Sequence, residues 1–397
     1  MNIEQIRSHF PALERTHEGK PVVYLDGPAG TQVPTAVINA ISHALTAGIS
    51  NHGEPSDSSR FSDSIVDGAR EAMADLYNAS PSEIAFGQNM TSHTLALSRA
   101  LAATWAPGDE IVLTRMDHDA NVAPWLRAAE DRDVTVRWVE FDDYVFAPDA
   151  FDDVLGPRTR LVAVTAASNA LGTVTDIPAI SQRVRQTDAL LFVDAVHAAP
   201  HRLIDVKAWD VDFLVSSAYK FYGPHIGILY GKEEHLESLP AYKVRPAPEH
   251  GPGRWENGTQ SFETLAGVTA AVEYLASLGE GTNRREQLAT AYDAIAAHEA
   301  RLGDRFLAGL AEFDHVQLFG VEHGDRTSTF SIGIDGVSPD AAASQLADRG
   351  LFVTHGTYYA VEVMDSLGQE GLVRVGFVHY NTLDEVDALL SALDDLG

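Results

Sequence analysis

The sequence predicts an α/β fold: a mostly parallel sheet with helices on both faces, followed by a smaller α+β unit. Three observations carry this. From about residue 22 to 231, short β-rich runs alternate with amphipathic stretches, the pattern of strands joined by crossover helices. The run "LLFVDAVH" (190–197) is apolar on both faces, as a central strand covered on both sides must be. Near residue 232 the alternation stops, and beyond 260 a long helical region leads into a second set of strands.

Taken in order, the strands of the first region are "VVYLD", "EIAF", "EIVLT", "TVRWVEF", "RLVAVTAAS", "LLFVDAVH", "FLVSS" and "IGILYG". Helices such as "PTAVINAISHALTAG" and "IPAISQRVRQT" lie between them. The stretch 232–260, with "KVRPAPEHGPGRWENGTQ", is rich in Pro and Gly and reads as a long functional loop. "REQLATAYDAIAAHEARLGDRFLAGLAEF" is one long helix. The strands "STFSIGI", "LFVTHG" and "LVRVGF" follow it. Ser338-Pro339 supplies an N-cap with Pro at the first helical position. Thr382 to Glu385 is a capping box opening the last helix. The expected division is a large domain over 18–265 and a small domain from 1–17 and 266–397.

Composition sets limits. The 397 residues, 45% hydrophobic, are enough for two domains and a large core. Against 57 acidic residues stand 28 basic ones, a net charge of −29. Such a field repels polyanions, so neither nucleic acid nor an anionic membrane is an expected partner. The chain has no cysteine, which excludes disulfides, thiolate metal sites and cysteine nucleophiles; no metal site is expected. "MNIEQIRSHFPALER" lacks an apolar signal-peptide core, and no apolar run approaches the roughly 18 residues of a membrane span. A soluble, cytoplasmic protein is the expectation.

Open α/β sheets bind ligands at the carboxyl ends of their strands. "GQNMTSHT" follows "EIAF", "RMDHDANVAPW" follows "EIVLT", and Asn169 follows "RLVAVTAAS". Asp194 and His197 sit within "LLFVDAVH", Asp194 in mid-strand; Ser217, Tyr219 and Lys220 end "VSSAYK". Lysine is scarce here, and one at the end of an apolar strand is either a side chain snorkelling to water or a nucleophile. A hydroxyl-rich helix start, two histidines, Asn, Asp and Lys together suit an aromatic cofactor that carries a phosphate.

This set resembles the class V aminotransferase family of fold-type I pyridoxal 5′-phosphate (PLP) enzymes, in its cysteine desulfurase-like, selenocysteine lyase-like branch. The motifs "YLDGPAGTQVP", "MDHDANVAPW", "SNALGT", "VDAVHAAPH", "SSAYKFYGPHIGILYG", "WENGTQ" and "VRVGFVHYNTLDEVD" carry the likeness, in order, along nearly the whole chain. It implies that Lys220 forms a Schiff base with PLP and that Asp194 pairs with the pyridine nitrogen, making the ring an electron sink. His118 would stack on the ring, with an acid–base role open to it. Where relatives carry a second His, this chain has Asp119. Asn169 and His197 would lie near the 3′-oxygen; relatives often have Gln where His197 stands. The amides of Met90, Thr91 and Ser92 at a helix start, with the hydroxyls of Thr91, Ser217 and Tyr219, would hold the phosphate. Relatives usually carry His in place of Tyr219. Thr259 would reach the cofactor of the neighbouring subunit, which implies a homodimer. Arg374 would grip a substrate carboxylate. Arg254, Asn51, His52, Ala29 and Gly30 would line the substrate pocket.

One position departs from the family pattern. Cysteine desulfurases take sulfur onto a loop cysteine, and the resemblance puts Tyr359, or a direct neighbour, in its place in the matching segment, "VTHGTYYAVEV". A phenol forms no persulfide. The resemblance therefore implies a PLP enzyme acting on a small amino acid through an external aldimine and a Cα carbanion. Elimination by C–S or C–Se lyase chemistry without persulfide transfer is favoured. Aminotransferase, isopenicillin N epimerase-type racemase and low-turnover regulatory protein are the alternatives.

Overall fold

The computed structural model describes residues 1–147 and 149–397. Seven strands form the large sheet: β1 (Ile84–Gly87), β2 (Glu110–Thr114), β3 (Thr135–Val139), β4 (Thr159–Thr165), β5 (Leu190–Asp194), β6 (Phe213–Ser217) and β7 (Gly227–Gly231). Their order is β1-β7-β6-β5-β4-β2-β3, and β7 alone runs against its neighbours. Alternate residues of the central strands enter two separate cores. Val112, Val162, Leu191, Val193 and Leu214 face one. Ile111, Leu113, Leu161, Phe192 and Val215 face the other. That is why these runs are apolar throughout rather than alternating.

Helices cover both faces. α1 (Thr35–Ala47) and α2 (Asp57–Tyr77) pack on one side, and α2 starts on a Ser56 N-cap. α3 (Met90–Ala102) and α4 (Ala123–Glu130) lie on the other, and α5 (Ile177–Val184) precedes β5. α6 (Phe262–Ala276) packs against α1 and α2. It therefore continues the large unit past the expected boundary at 265. α7 (Arg284–Leu310) belongs to both units: Leu288, Tyr292 and Ile295 join the large core, and Leu302, Phe306 and Leu310 join the small one.

The small sheet holds β8 (Val316–Phe319), β9 (Thr329–Ile334), β10 (Thr354–Gly356) and β11 (Leu372–Gly376), in the antiparallel order β8-β9-β11-β10. α8 (Pro339–Ala347) begins on the expected Ser338 N-cap, and α9 (Leu383–Asp394) on the expected Thr382–Glu385 capping box.

Four expectations about elements are corrected. "VVYLD" contributes only Val23–Tyr24 as strand, paired with Leu351–Phe352 of the small unit, and Leu25 is buried in that unit's core. "LFVTHG" is two strands split at Val353, because its halves pair with different partners. Asp194 closes β5 rather than sitting in mid-strand; beyond it the chain turns while remaining buried, so the apolar signal outlasts the strand. The stretch 232–260 is not all loop. A short helix, Glu233–Ser238, and a 3-10 turn over Pro252–Trp255 interrupt it, and Trp255 is buried with its indole N–H on Leu236 O.

No helix among the described residues is long and apolar enough to cross a membrane. All but seven of the 57 carboxylates lie at least partly in water, so the surface repels itself. The thermal midpoint should climb as KCl is raised from about 0.01 M to about 1 M, where the screening length falls from roughly 30 Å to roughly 3 Å. A midpoint that stays level or falls across that series would show that surface repulsion does not limit stability.

Candidate active site

The carboxyl ends of β2, β4, β5 and β6 and the start of α3 converge on a cavity of about 730 Å³. The small unit closes it with Thr354, His355, Tyr358, Tyr359 and Arg374.

Lys220 sits one turn past the end of β6, on its floor. Its Nζ donates to the carbonyl of Pro28, in the turn that follows Asp26. Burial lowers its ammonium to about 7; the Arg374 charge pushes the same way, and Asp194 and Asp26 oppose. A buried ammonium without a carboxylate in contact gives up its proton readily. The neutral amine that results is the nucleophilic form.

Asp194 ends β5 opposite Thr165 of β4, and its Oδ1 accepts the amide of Val196. Burial raises it to about 6, against that amide and the Lys220 charge, so it is a carboxylate at neutral pH. His118 caps a short 3-10 turn, and Ala120 N–H donates to its Nδ1 at 3.0 Å. Burial first, then Lys220 and Arg374, lower it to about 4, which leaves a neutral ring with its proton on Nε2.

His197 is held from behind. Its Nε2 shares a hydrogen bond of 3.2 Å with the Thr327 hydroxyl, which also lies 3.3 Å from Gly172 O. Burial keeps that ring neutral too. Asn169 donates its amide to Tyr358 O at 3.0 Å, while its Oδ1 is buried without a partner among the described residues. An orphaned acceptor on a cavity wall is a place for a ligand donor.

Arg374, on β11, is 5% exposed. Its Nε donates to Thr354 Oγ1 at 3.1 Å and its Nη1 to Asn169 O at 2.9 Å, and the guanidinium lies 4.4 Å over the Tyr358 ring. No carboxylate among the described residues pairs with it. Removing a cation from water costs several kcal/mol, while each of these hydrogen bonds returns about 1.5–3 kcal/mol and the ring about 0.5–2 kcal/mol. The fork is left facing the cavity with donors to spare.

At the α3 end, Met90 N–H donates to Ser217 Oγ at 3.2 Å and Ser92 N–H to the N-cap Asn89 at 2.8 Å. Only the Thr91 amide of the expected trio stays uncommitted among the described residues. Tyr219 lines the cavity and stacks on His225, centroids 4.8 Å apart and planes at 7°.

The expected residues lining the cavity are Ala29, Met90, Thr91, His118, Asn169, Asp194, His197, Ser217, Tyr219, Lys220, Tyr359 and Arg374. Six others do not. Ser92 is turned into the helix cap by Asn89. Gly30 lies behind Tyr219, where a Cβ would come within 3.2 Å of that ring. Arg254 instead caps the Glu233–Ser238 helix, donating to the carbonyls of Leu236, Glu237 and Leu239. Asn51, His52 and Thr259 are exposed on loops away from the cavity of their own chain.

Sequence reasoning missed Asn89, Thr165, Thr354, His355 and Tyr358 on the walls. Thr165 is the last residue of a strand, so the strand-end rule alone could have found it. Asp26 was also missed; it bridges to Gly376, and its Oδ1 is buried without a partner among the described residues. Burial raises it to about 6 against the charges of Arg374 and Lys220. The Asp in "YLDGPAGT" was its signal.

The donor set fits PLP: an amine for the aldehyde, a carboxylate for the ring nitrogen, an open acceptor on Asn169 and a helix start for the phosphate. The chain matches the family model for class V aminotransferases over residues 23–389. It belongs to the class V aminotransferase family. An uncharacterized Mycobacterium tuberculosis protein is 34% identical, the alignment covering 100% of this chain and 99% of that protein. A probable cysteine desulfurase of Vibrio cholerae is 31% identical over 99% of this chain and 98% of its own. The solved apo cysteine desulfurase of Thermococcus onnurineus superposes with a TM-score of 0.90 at 26% identity, covering 99% of this chain and 97% of that one. As a class V family member, this chain is a PLP-dependent enzyme of the fold-type I architecture.

The Lys220 amine sets a pH window for this class V site. Capture of PLP by cofactor-free protein, followed as growth of its visible band, should rise about tenfold per pH unit up to about 7 and then level off. A rise that continues past about pH 9 would put this amine back at the ordinary lysine value.

Proposed function

We propose that the protein is a PLP-dependent lyase that cleaves the Cβ–S, or Cβ–Se, bond of an amino acid and passes no sulfur to the protein. The buried Arg374 fork, without a carboxylate partner among the described residues, carries this reading, because an amino-acid carboxylate satisfies it. Bound in the cavity, PLP supplies an aldehyde for the substrate amine and a ring that draws electron density from the carbon beside it.

The chain's own groups then have these roles. Arg374 fixes the substrate carboxylate and so the direction of the Cα–H bond. Lys220, its ammonium lowered to about 7 so that much of it is the free amine there, takes the Cα proton over a short path. Asp194 holds the proton of the ring nitrogen. Asn169 and His197 sit by the ring oxygen, and His118 covers the ring. Thr91, Ser217 and Tyr219 hold the phosphate end, with Thr259 of a second copy completing it in a homodimer. The reaction balances without an oxidant: thioether amino acid and water give thiol, pyruvate and ammonium.

Two facts favour elimination without transfer. The relatives compared include proteins named as cysteine desulfurases, so bond cleavage next to sulfur is the chemistry at hand. The chain has no cysteine to receive the sulfur, and Tyr359 lines the cavity in the segment that resembles the desulfurase cysteine loop.

Pyruvate and ammonia released in equal amounts from cysteine or a cysteine thioether would support the lyase reading. Accumulation of pyridoxamine phosphate, or loss of optical activity without pyruvate, would replace it with transamination or epimerisation. Arg374→Gln should cost about 2 kcal/mol or more, at least about thirtyfold in kcat/KM, mostly through KM. Unchanged KM in that variant would remove the carboxylate-binding role.

A further inference from the structure

The loop Thr357–Ala360 holds two consecutive non-glycine residues at positive φ, Tyr358 at 55° and Tyr359 at 58°. Side chains with a Cβ disfavour that region, and such strain persists only where the surroundings hold it. Both strained carbonyls are pinned from the cavity wall. Asn169 Nδ2 donates to Tyr358 O at 3.0 Å, and Asp119 N–H donates to Tyr359 O at 2.6 Å.

The pinning separates the two rings. Tyr358 is 8% exposed and lies under the Arg374 guanidinium. Tyr359 is 72% exposed, lines the cavity and stacks on His118, centroids 5.5 Å apart and planes at 24°. The loop thus sets an open aromatic face in the same cavity as the carboxylate-binding cation of β11. Leu95, Ala120, Ala123 and Pro124 add apolar wall, and the Asp119 carboxylate disfavours an acidic side chain there.

We infer that Tyr359 is a specificity-determining residue whose ring receives the substrate side chain, and that the substrate is an α-amino acid carrying an apolar, ring-sized side chain. This rests on the reading of Arg374 as the carboxylate grip. Under the elimination reading the matching substrates are cysteine thioethers with an apolar or aromatic group on sulfur, such as S-benzylcysteine.

The test is a titration of PLP-loaded protein with L-phenylalanine and with L-alanine, following the visible cofactor band, so that it does not depend on turnover. Phenylalanine should bind about tenfold or more tighter than alanine, the scale of a well-fitted apolar contact. Tyr359→Phe should keep that ratio. Tyr359→Asn, which tolerates the left-handed backbone, and Tyr359→Ala should both abolish it while the band itself remains. Equal affinities in the parent protein, or a ratio that survives both ring deletions, would overturn the inference and leave the Arg374 reading standing. A band that responds to neither amino acid would overturn both.

Discussion

The Arg374 cation and the Lys220 amine share one cavity, and neither has a carboxylate in contact among the described residues. That constraint governs the rest of the structure. Both are denied water: burial first, and then the Arg374 charge, push Lys220 toward losing its proton, while burial lowers Arg374 to about 10. The two nearby carboxylates, Asp194 and Asp26, are themselves pushed up by burial and only partly offset the field. The histidines His118 and His197 are kept neutral by burial first, and the positive field of the site adds to it. The result is a cavity rich in donors and short of negative charge. A cofactor with a phosphate and a substrate with a carboxylate supply what it lacks.

Much of this was legible in the sequence, and the reason is local. A residue at the end of a buried strand has little freedom in where it points, so the polar residues ending β2, β4, β5 and β6 could be placed from pattern alone. Lys220, Asp194, Asn169 and His118 were found that way and do line one cavity. The capping signals at Ser338 and Thr382 were equally readable, because a cap is decided within four residues.

What failed depends on contacts distant in sequence. Arg254 reads as a free loop cation, but the carbonyls at the end of the Glu233–Ser238 helix claim it. Ser92 is the local exception: it reads as a phosphate donor, but Asn89, three residues earlier, competes for its amide. The stretch at 22–26 looks like the first strand of the large sheet, yet its partner is more than 320 residues away in the small unit. Tyr358 carried no signal of its own, because its role comes from the guanidinium above it and from Asn169 beside it.

The helix α7 is anchored in both hydrophobic cores along one continuous rod of 27 residues. A rod shared in this way is a mechanical coupling. The small unit cannot be excised at residue 266 as a module, because the cut would leave the upper half of the rod without the layer it packs on. Partial unfolding of either unit pulls on the other, so chemical denaturation has no natural stopping point between them. For the same reason, grafting the substrate-facing loop of this protein onto a relative would transfer its residues without the frame that sets their distance from Lys220.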